Sequence, residues 1–214
     1  AIALLREKEQ KLNRSRLELE KARAEAYAEL AKASQALAEN EKTVVSALAQ
    51  VEDGLRQIED GLIQIDDGLK QIEDGLSQLK LEIPLTQVQV RLTEEQVKLA
   101  ERLGDAERVA QLQTKLAEQK QTLADYEAKQ TEAETMQAEL TQQKAELIAQ
   151  REELIATQKT LQEAKAAIDA GYRELDSNRL LAESQFASAE AQLTAGEIEL
   201  NQGKKELEEK QQEL

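Results

Sequence analysis

The chain has 214 residues, of which 2% are aromatic and 33% are charged, and its formal net charge is −15 at pH 7. A chain so poor in aromatic residues and so rich in Ala, Glu, Gln, Leu and Lys is typical of a coiled coil or long helix and not of a globular domain. The negative charge argues against nucleic acid as a partner and against direct binding of this segment to an anionic membrane, because both repel a polyanion.

The residue types that carry most enzyme chemistry are missing. The sequence contains neither His nor Cys, which removes the usual general base, thiol nucleophile and zinc or di-iron ligand sets. Two carboxylates can hydrolyse a glycoside, but they need a concave pocket that a thin coiled coil does not offer. No glycine-rich phosphate loop is present either. The sequence therefore predicts a protein that is not an enzyme, with no catalytic residue, cofactor or metal.

The first 43 residues predict a helix with widely spaced leucines. Its apolar stripe includes small residues, so that a neighbouring helix can approach closely. The leucines are Leu5, Leu12, Leu19, Leu30 and Leu37, and the small residues are Ala22, Ala26 and Ala33.

Residues 44–79 carry the clearest repeat of the chain. Apolar residues recur alternately three and four positions apart from Val44 to Leu79, which predicts a left-handed coiled coil with Leu at heptad position a and Val or Ile at d. One glycine per heptad, at position g, weakens the helix by about 0.8–1 kcal/mol each relative to Ala. These glycines are Gly54, Gly61, Gly68 and Gly75.

An acidic pair precedes each of these glycines. A calcium loop needs oxygen ligands at alternating positions of a non-helical turn, whereas these acids are adjacent on a helix, at positions e and f. The pairs therefore predict a solvated acidic face. They are Glu52-Asp53, Glu59-Asp60, Asp66-Asp67 and Glu73-Asp74.

Two positions near the middle of the chain can redirect it. Pro84 removes a helical hydrogen bond and so predicts a kink or an interruption. Gly104-Asp105 predicts a turn, because Gly suits a left-handed helix C-cap and Asp caps the following helix. Which of the two is the main bend is left open by the sequence.

The second half predicts another long helix. Its apolar positions begin at Val109, Leu112, Leu116, Leu123 and Tyr126 and continue as a leucine row with a period of seven. Two sections of this row are offset by a four-residue stutter, which should unwind the supercoil locally. The sections are Leu140, Leu147, Leu154, Leu161, Ile168, Leu175 and Phe186, Leu193, Leu200, Leu207, Leu214.

These elements together predict an all-α fold. We expect one elongated domain over residues 1–214, a long antiparallel coiled-coil hairpin kinked near Pro84. Its ascending arm is 1–103, its tip is Gly104-Asp105, and its descending arm is 106–214. At ~1.5 Å per residue the arms would reach roughly 150 Å.

Folding at Gly104-Asp105 pairs residues whose numbers sum to about 208 or 209. This register brings apolar residues of the two arms together on both sides of Pro84. The pairs are Leu99 with Val109, Leu92 with Leu116, Leu85 with Leu123, Leu69 with Leu140, Leu62 with Leu147, Leu55 with Leu154, and Leu48 with Leu161.

The same register suggests a reason for the glycines. It places Gly54 opposite Ile155, Gly61 opposite Ile148, Gly196 opposite Leu12 and Gly203 opposite Leu5, so that each missing side chain receives a bulky one. Gly68 and Gly75 belong to the same repeat and are further candidates for close helix contact. The alternative is that the glycines let the arm flex.

The few aromatic residues have two interpretations. Tyr27, Tyr126, Tyr172 and Phe186 can each fill a wider layer between the helices. Alternatively, Tyr172 and Phe186, on either side of the stutter, form a docking place for a partner helix.

Two stretches carry a family resemblance. The Ile-Glu-Asp-Gly-Leu-x-Gln block at 51–78 and the run at 171–207, from Gly171-Tyr-Arg-Glu-Leu to Gly203-Lys-Lys-Glu-Leu, resemble the extracytoplasmic coiled-coil insertion of FtsX-like ABC-transporter permeases. Similar glycine-punctuated coils occur in YhgE/Pip-type membrane proteins. The resemblance implies a coil on the outer face of the cell membrane. It also implies coupling to a cytoplasmic ABC ATPase through transmembrane segments and contact with a cell-wall or extracellular protein.

The transmembrane segments would lie outside this chain. No stretch approaches the roughly 20 apolar residues of a membrane span, and the chain opens at Ala1 without an initiator Met and stops at Leu214 in mid-pattern. We therefore expect a domain excised from a larger membrane protein. The alternative is a structural or oligomerisation coil unrelated to transport. An efflux-pump adaptor hairpin is disfavoured because no lipoyl-type β sequence flanks the helices.

Overall fold

Two long α-helices account for almost the whole chain. The computed structural model describes residues 2–212, which form α1 (Ile2–Leu103) and α2 (Ala106–Gln212). The abundance of Ala, Leu, Glu, Lys and Gln, all strong helix formers, explains why neither helix breaks. The helices pack against each other in opposite directions as a coiled-coil hairpin, which confirms the predicted fold class.

The connection between the helices is the predicted Gly104-Asp105 turn. Gly104 adopts the left-handed conformation, with φ 73°, and its N–H donates to the Glu101 carbonyl at 3.2 Å. Asp105 N–H donates to the Ala100 carbonyl at 3.2 Å, and the Asp105 carboxylate accepts from Arg108 N–H at 3.1 Å. A glycine C-cap and an aspartate N-cap thus satisfy backbone groups that two helix ends would otherwise leave unpaired.

Helix α1 continues through Pro84. The proline does not interrupt the helix, and Ile83 before it and Thr86 two residues after it are both buried. Of the two positions that the sequence left open, Gly104 is therefore the one at which the chain reverses. The kink at Pro84 stays a prediction.

The contacts divide the chain into two units. One unit is Val51–Thr157 and contains the turn. The other combines the stretch up to Gln50 with the stretch from Gln158 onward. Within each unit, one segment of α1 packs against one segment of α2.

Burial follows a narrow line along each helix. Among the described residues no large side chain is fully buried, and the buried apolar residues are exposed by only 3–8%. A pair of helices has no interior beyond the stripe where they meet, which we call the seam. The buried apolar residues are Val51, Ile58, Ile65, Leu76, Ile83, Val90, Val97, Ala100, Ile168 and Leu200.

Candidate functional site

At three glycines of the heptad block, a leucine of α2 packs against the position where a side chain would begin. A methyl group added to Gly54 would lie 3.1 Å from Leu154 Cδ1. The corresponding distances are 3.2 Å from Gly61 to Leu147 Cδ1 and 3.2 Å from Gly68 to Leu140 Cδ1. All three distances are shorter than ordinary van der Waals contact, so these leucines fill the space that a side chain would take.

The prediction that Ile155 and Ile148 fill these spaces is wrong by one residue. The two isoleucines are 46% and 42% exposed, and the glycines face Leu154 and Leu147 instead. Successive side chains of an α-helix point about 100° apart. Because Leu147 and Leu154 point at α1, Ile148 and Ile155 lie on the flank of the helix pair.

Near the two ends of the chain the same contact recurs. Gly196 and Gly203 lie beside Leu12 and Leu5, the leucines that the predicted register places opposite them. A methyl group at these glycines would be 2.9 and 3.1 Å from a leucine Cδ atom. Sequence reasoning missed a further case, Gly171, which lies 3.0 Å by the same measure from Leu37 Cδ2. Its signal was available, because 171 and 37 also sum to 208.

Gly75 differs from the other glycines of its block. No atom beyond its own helix backbone and its chain neighbours lies within 4 Å of a methyl group placed on it. The register puts Ala133 across from it, and alanine is too short to fill the space. The four evenly spaced glycines therefore have two kinds of environment: Gly54, Gly61 and Gly68 each face a leucine of α2, and Gly75 faces open space.

The seam near the turn does not use the leucines that the sequence favoured. Leu85, Leu92 and Leu99 were expected to face α2, but all three are exposed. The buried positions are instead one residue further along, at Thr86, Thr93 and Ala100, together with Ile83, Val90 and Val97.

Continuity of the heptads explains this difference. Steps of three and four carry the seam from Val51 to Leu79 and onward without a break to Ala100, so Pro84 does not shift its phase. The half-buried residues of α2 from Val109 to Tyr126 stand opposite in the predicted register, with sums of 209. This burial is compatible with the predicted register near the turn, but the face of α1 that is buried is not the predicted one.

This part of the seam is polar as well as small. Thr93, 3% exposed, donates its hydroxyl to the Gln89 carbonyl at 3.0 Å, a bond that a helical threonine makes within its own helix. Across the seam, the side-chain oxygen of Gln119 is buried without a hydrogen-bond partner. Burying such a group costs stability and does not add to it.

Ion pairs join the helices along the flanks of the seam. In the unit that contains the turn, Lys144 contacts Asp66 at 2.6 Å and Lys120 contacts Glu94 at 2.8 Å. The hydrogen bond from Lys120, together with its charge, holds the pKa of Glu94 below its ordinary value. The pairs Arg16–Glu197, Arg23–Glu190 and Lys204–Glu9, at 2.6, 2.6 and 2.9 Å, do the same joining in the other unit. Exposed pairs of this kind contribute about 0.2–1 kcal/mol each.

The acidic pairs of the glycine block lie on the exposed surface. Asp66 is bound by Lys144, and within residues 2–212 no group of three potential ligands is placed to hold a metal ion.

The aromatic residues near the stutter contact the opposite helix. The rings of Tyr27 and Phe186 are 6.1 Å apart and tilted, and the Arg23 guanidinium lies 5.9 Å from the Tyr27 ring centre. The Tyr172 hydroxyl donates to Glu41 at 3.1 Å. Loss of hydration, then the bond to Glu41, raises the pKa of Tyr172. Tyr172 and Phe186 thus each contact a residue of α1, while the wider layers and a role in docking a partner stay predictions.

No family model and no curated protein matches the sequence. Among solved structures, a coiled-coil segment of Smc from Pyrococcus yayanosii is similar, with a TM-score of 0.53 and 14% identity over 97% of this chain and 93% of that one. A coiled-coil middle fragment of Bacillus subtilis Smc aligns with a TM-score of 0.45 and 20% identity over 99% and 89% of the two chains. The first of these similarities shows the fold, a long coiled-coil segment.

The described helices are too polar to cross a membrane. None contains a stretch both long and apolar enough to do so.

Proposed function

We propose that this chain is a non-enzymatic spacer, a coiled-coil hairpin that connects a base to the turn at Gly104-Asp105. The observation that carries the proposal is the contact between Leu5 and Gly203. It brings the beginning of α1 beside the end of α2, so the chain enters and leaves the hairpin at one place. Such an element can be inserted into a larger protein without separating the segments on either side of it.

More specifically, we propose that the base adjoins a membrane permease and that the hairpin lies on its outer side. The support is the resemblance of 51–78 and 171–207 to the coiled-coil insertion of FtsX-like permeases, together with the contact between Leu5 and Gly203. In this role the hairpin transmits conformational change to a cell-wall or extracellular partner. ATP is hydrolysed by a separate cytoplasmic ATPase.

A second candidate is a structural or oligomerisation coil without a transport role. The similarity of fold to the Smc coiled-coil segment favours it, because that segment is also a long coil.

Location separates the two candidates. A cysteine introduced at the exposed position Gln87 can be labelled with a membrane-impermeant maleimide in cells that make the complete protein, and the protein without this substitution is the control. The permease stalk predicts labelling in intact cells, and the intracellular coil predicts labelling only after lysis. Labelling only after lysis would contradict the stalk.

Length tests the spacer itself. Removing residues 58–71 together with their register partners 138–151 shortens both helices by two heptads, about 21 Å at ~1.5 Å per residue. Because the register is preserved, the shortened chain should keep its helix content while the complete protein loses activity in complementation of a deletion strain. Removing 58–71 alone makes α1 two heptads shorter than α2 and serves as the mismatched control. Full complementation by the matched deletion would refute a spacer role.

A further inference from the structure

Helix α1 has a second apolar row near the turn, which we call the outer row. Its six members are 57–76% exposed and are spaced mostly by three and four residues, with Glu95 at the one polar place. The outer row is Leu81, Leu85, Val88, Leu92, Leu99 and Leu103.

The outer row lies on the side of α1 away from α2. At about 100° per residue, its centre is roughly 150° around the helix from the buried line through Ile83, Val90 and Val97. A helix that packs against a single partner needs only one apolar stripe. Two stripes on nearly opposite faces indicate that α1 meets a second helix here.

The charge beside the outer row is unlike that of the chain as a whole. Residues 79–103 contain four basic and four acidic residues and are neutral, whereas the complete chain carries −15. Helical spacing places the four basic residues, Lys80, Arg91, Lys98 and Arg102, along one flank of the row. Lys98 contacts Glu95 at 2.7 Å.

The other flank of the outer row is mostly uncharged. Helical spacing places Gln78, Gln89 and Gln96 there, with Glu82 as the one acidic residue. The surface is therefore an apolar line beside which Arg91 and Lys98 form the nearest basic positions, with Lys98 also paired to Glu95.

This pattern is poorly suited to a second copy of the same chain. With Leu85, Leu92 and Leu99 at position a, Arg91 and Lys98 occupy position g. An antiparallel copy would bring Arg91 against Arg91, and a parallel copy would stack Glu95 on Glu95. Like charges at these positions oppose association.

We propose that the outer row binds one α-helix of another protein, with apolar residues at heptad spacing and Asp or Glu on the edge that faces Arg91 and Lys98. The row spans about 33 Å of helix at ~1.5 Å per residue, so the contact falls at the small end of specific interfaces, below about 1,200 Å². Such a contact forms and dissociates readily. The proposal concerns this surface alone and holds for either candidate function.

Two matched synthetic peptides test the proposal on the full chain. Both are four heptads long with Leu at a and d, one carries Glu at e and g, and the other carries Gln. In a fluorescence anisotropy titration we expect the Glu peptide to bind about tenfold or more tightly than the Gln peptide, although the net charge of the chain opposes it. Reversing the edge with Arg91→Glu and Lys98→Glu should abolish this preference.

A substitution within the row locates the binding. Leu92→Asp should weaken binding of the Glu peptide by about tenfold or more, and it should leave the thermal midpoint unchanged because Leu92 is exposed. Ile63→Asp is the matched control, since Ile63 is 57% exposed in the same unit and lies outside the row. It should leave binding unchanged.

Four results would overturn the proposal. Equal affinity for the two peptides would show that the bound helix needs no acidic edge. Binding unaffected by Leu92→Asp would show that the outer row is not the binding surface. A thermal midpoint lowered by Leu92→Asp and not by Ile63→Asp would place the row in the seam of the hairpin itself. Sedimentation equilibrium that shows a dimer, lost in Leu92→Asp, would make a second copy the occupant.

Discussion

At the scale of single residues, the heptad glycines separate into filled and open positions, and this difference predicts opposite responses to alanine. Gly75→Ala should stabilise the chain by about 0.8–1 kcal/mol, because it gains helix propensity and meets no neighbour within 4 Å. Gly54→Ala gains the same propensity but places its methyl group 3.1 Å from Leu154 Cδ1. We expect Gly54→Ala to stabilise the chain less than Gly75→Ala does, or to destabilise it. Urea unfolding followed by circular dichroism measures both, and equal stabilisation would show that the leucine contact carries no cost.

Tyr172 predicts a change in stability at alkaline pH. Its pKa is raised in the folded chain by loss of hydration and by the bond to Glu41. The stabilisation is therefore complete below the pKa of the unfolded tyrosine and is lost as pH rises through the folded value. Wild type should be more stable than Tyr172→Phe at neutral pH, with the difference shrinking above about pH 10. Unfolding of both chains from pH 7 to 11 tests this.

Glu41→Gln supplies the control for Tyr172. It keeps a hydrogen-bond acceptor but removes the negative charge, so it should reduce the alkaline loss of stability. A difference between wild type and Tyr172→Phe that does not change with pH would contradict the assignment.

At the scale of the helices, the seam near the turn buries an unsatisfied polar group that one substitution should remove. The side-chain oxygen of Gln119 is buried without a hydrogen-bond partner. The register places the apolar Val90 opposite Gln119. Gln119→Leu removes an unsatisfied group whose burial costs about 1–3 kcal/mol and adds apolar contact. We expect a higher midpoint in urea. Gln111→Leu, at an exposed position, is the control and should change stability little; an equal effect of the two would argue against a seam position for Gln119.

The helices and the turn were predictable from local chemistry. Composition and the heptads specify two helices, and Gly104-Asp105 combines a residue suited to positive φ with an N-cap. The antiparallel register followed from these elements. It also placed Gly196 and Gly203 beside the correct leucines.

The choice of face near the turn was not predictable from hydrophobicity alone. Between Pro84 and Gly104 the most apolar line is Leu85, Leu92 and Leu99, and burial of apolar area favours it. The structure buries Thr86, Thr93 and Ala100 instead, because they continue the heptad phase set by the long block before Pro84. The heptad phase of the long preceding block therefore decides which face of α1 is buried, although burying the leucines would remove more apolar area from water. The leucines on the opposite face form the outer row.

At the scale of the whole molecule, charge opposes folding more than it supports it. The chain carries −15, and folding brings the acidic residues of 51–78 beside an acidic stretch of α2. The five ion pairs between the helices contribute only about 0.2–1 kcal/mol each, because they are exposed. Salt screens the long-range repulsion as well as the pairs, with a Debye length of ≈ 10 Å at 0.1 M and ≈ 3 Å at 1 M. The excess negative charge lies in residues 51–78 and in α2, whereas residues 1–50 contain nine basic and eight acidic residues, so we expect repulsion to dominate between 51–78 and the stretch of α2 that faces it. The thermal midpoint should therefore rise between 0.02 and 0.5 M sodium chloride, roughly the range over which the Debye length becomes short.

Arg23→Gln removes one ion pair and should lower the midpoint chiefly at low salt. A midpoint that falls with salt in the wild type would show that the ion pairs outweigh the repulsion and that the flanks, and not the seam, hold the helices together.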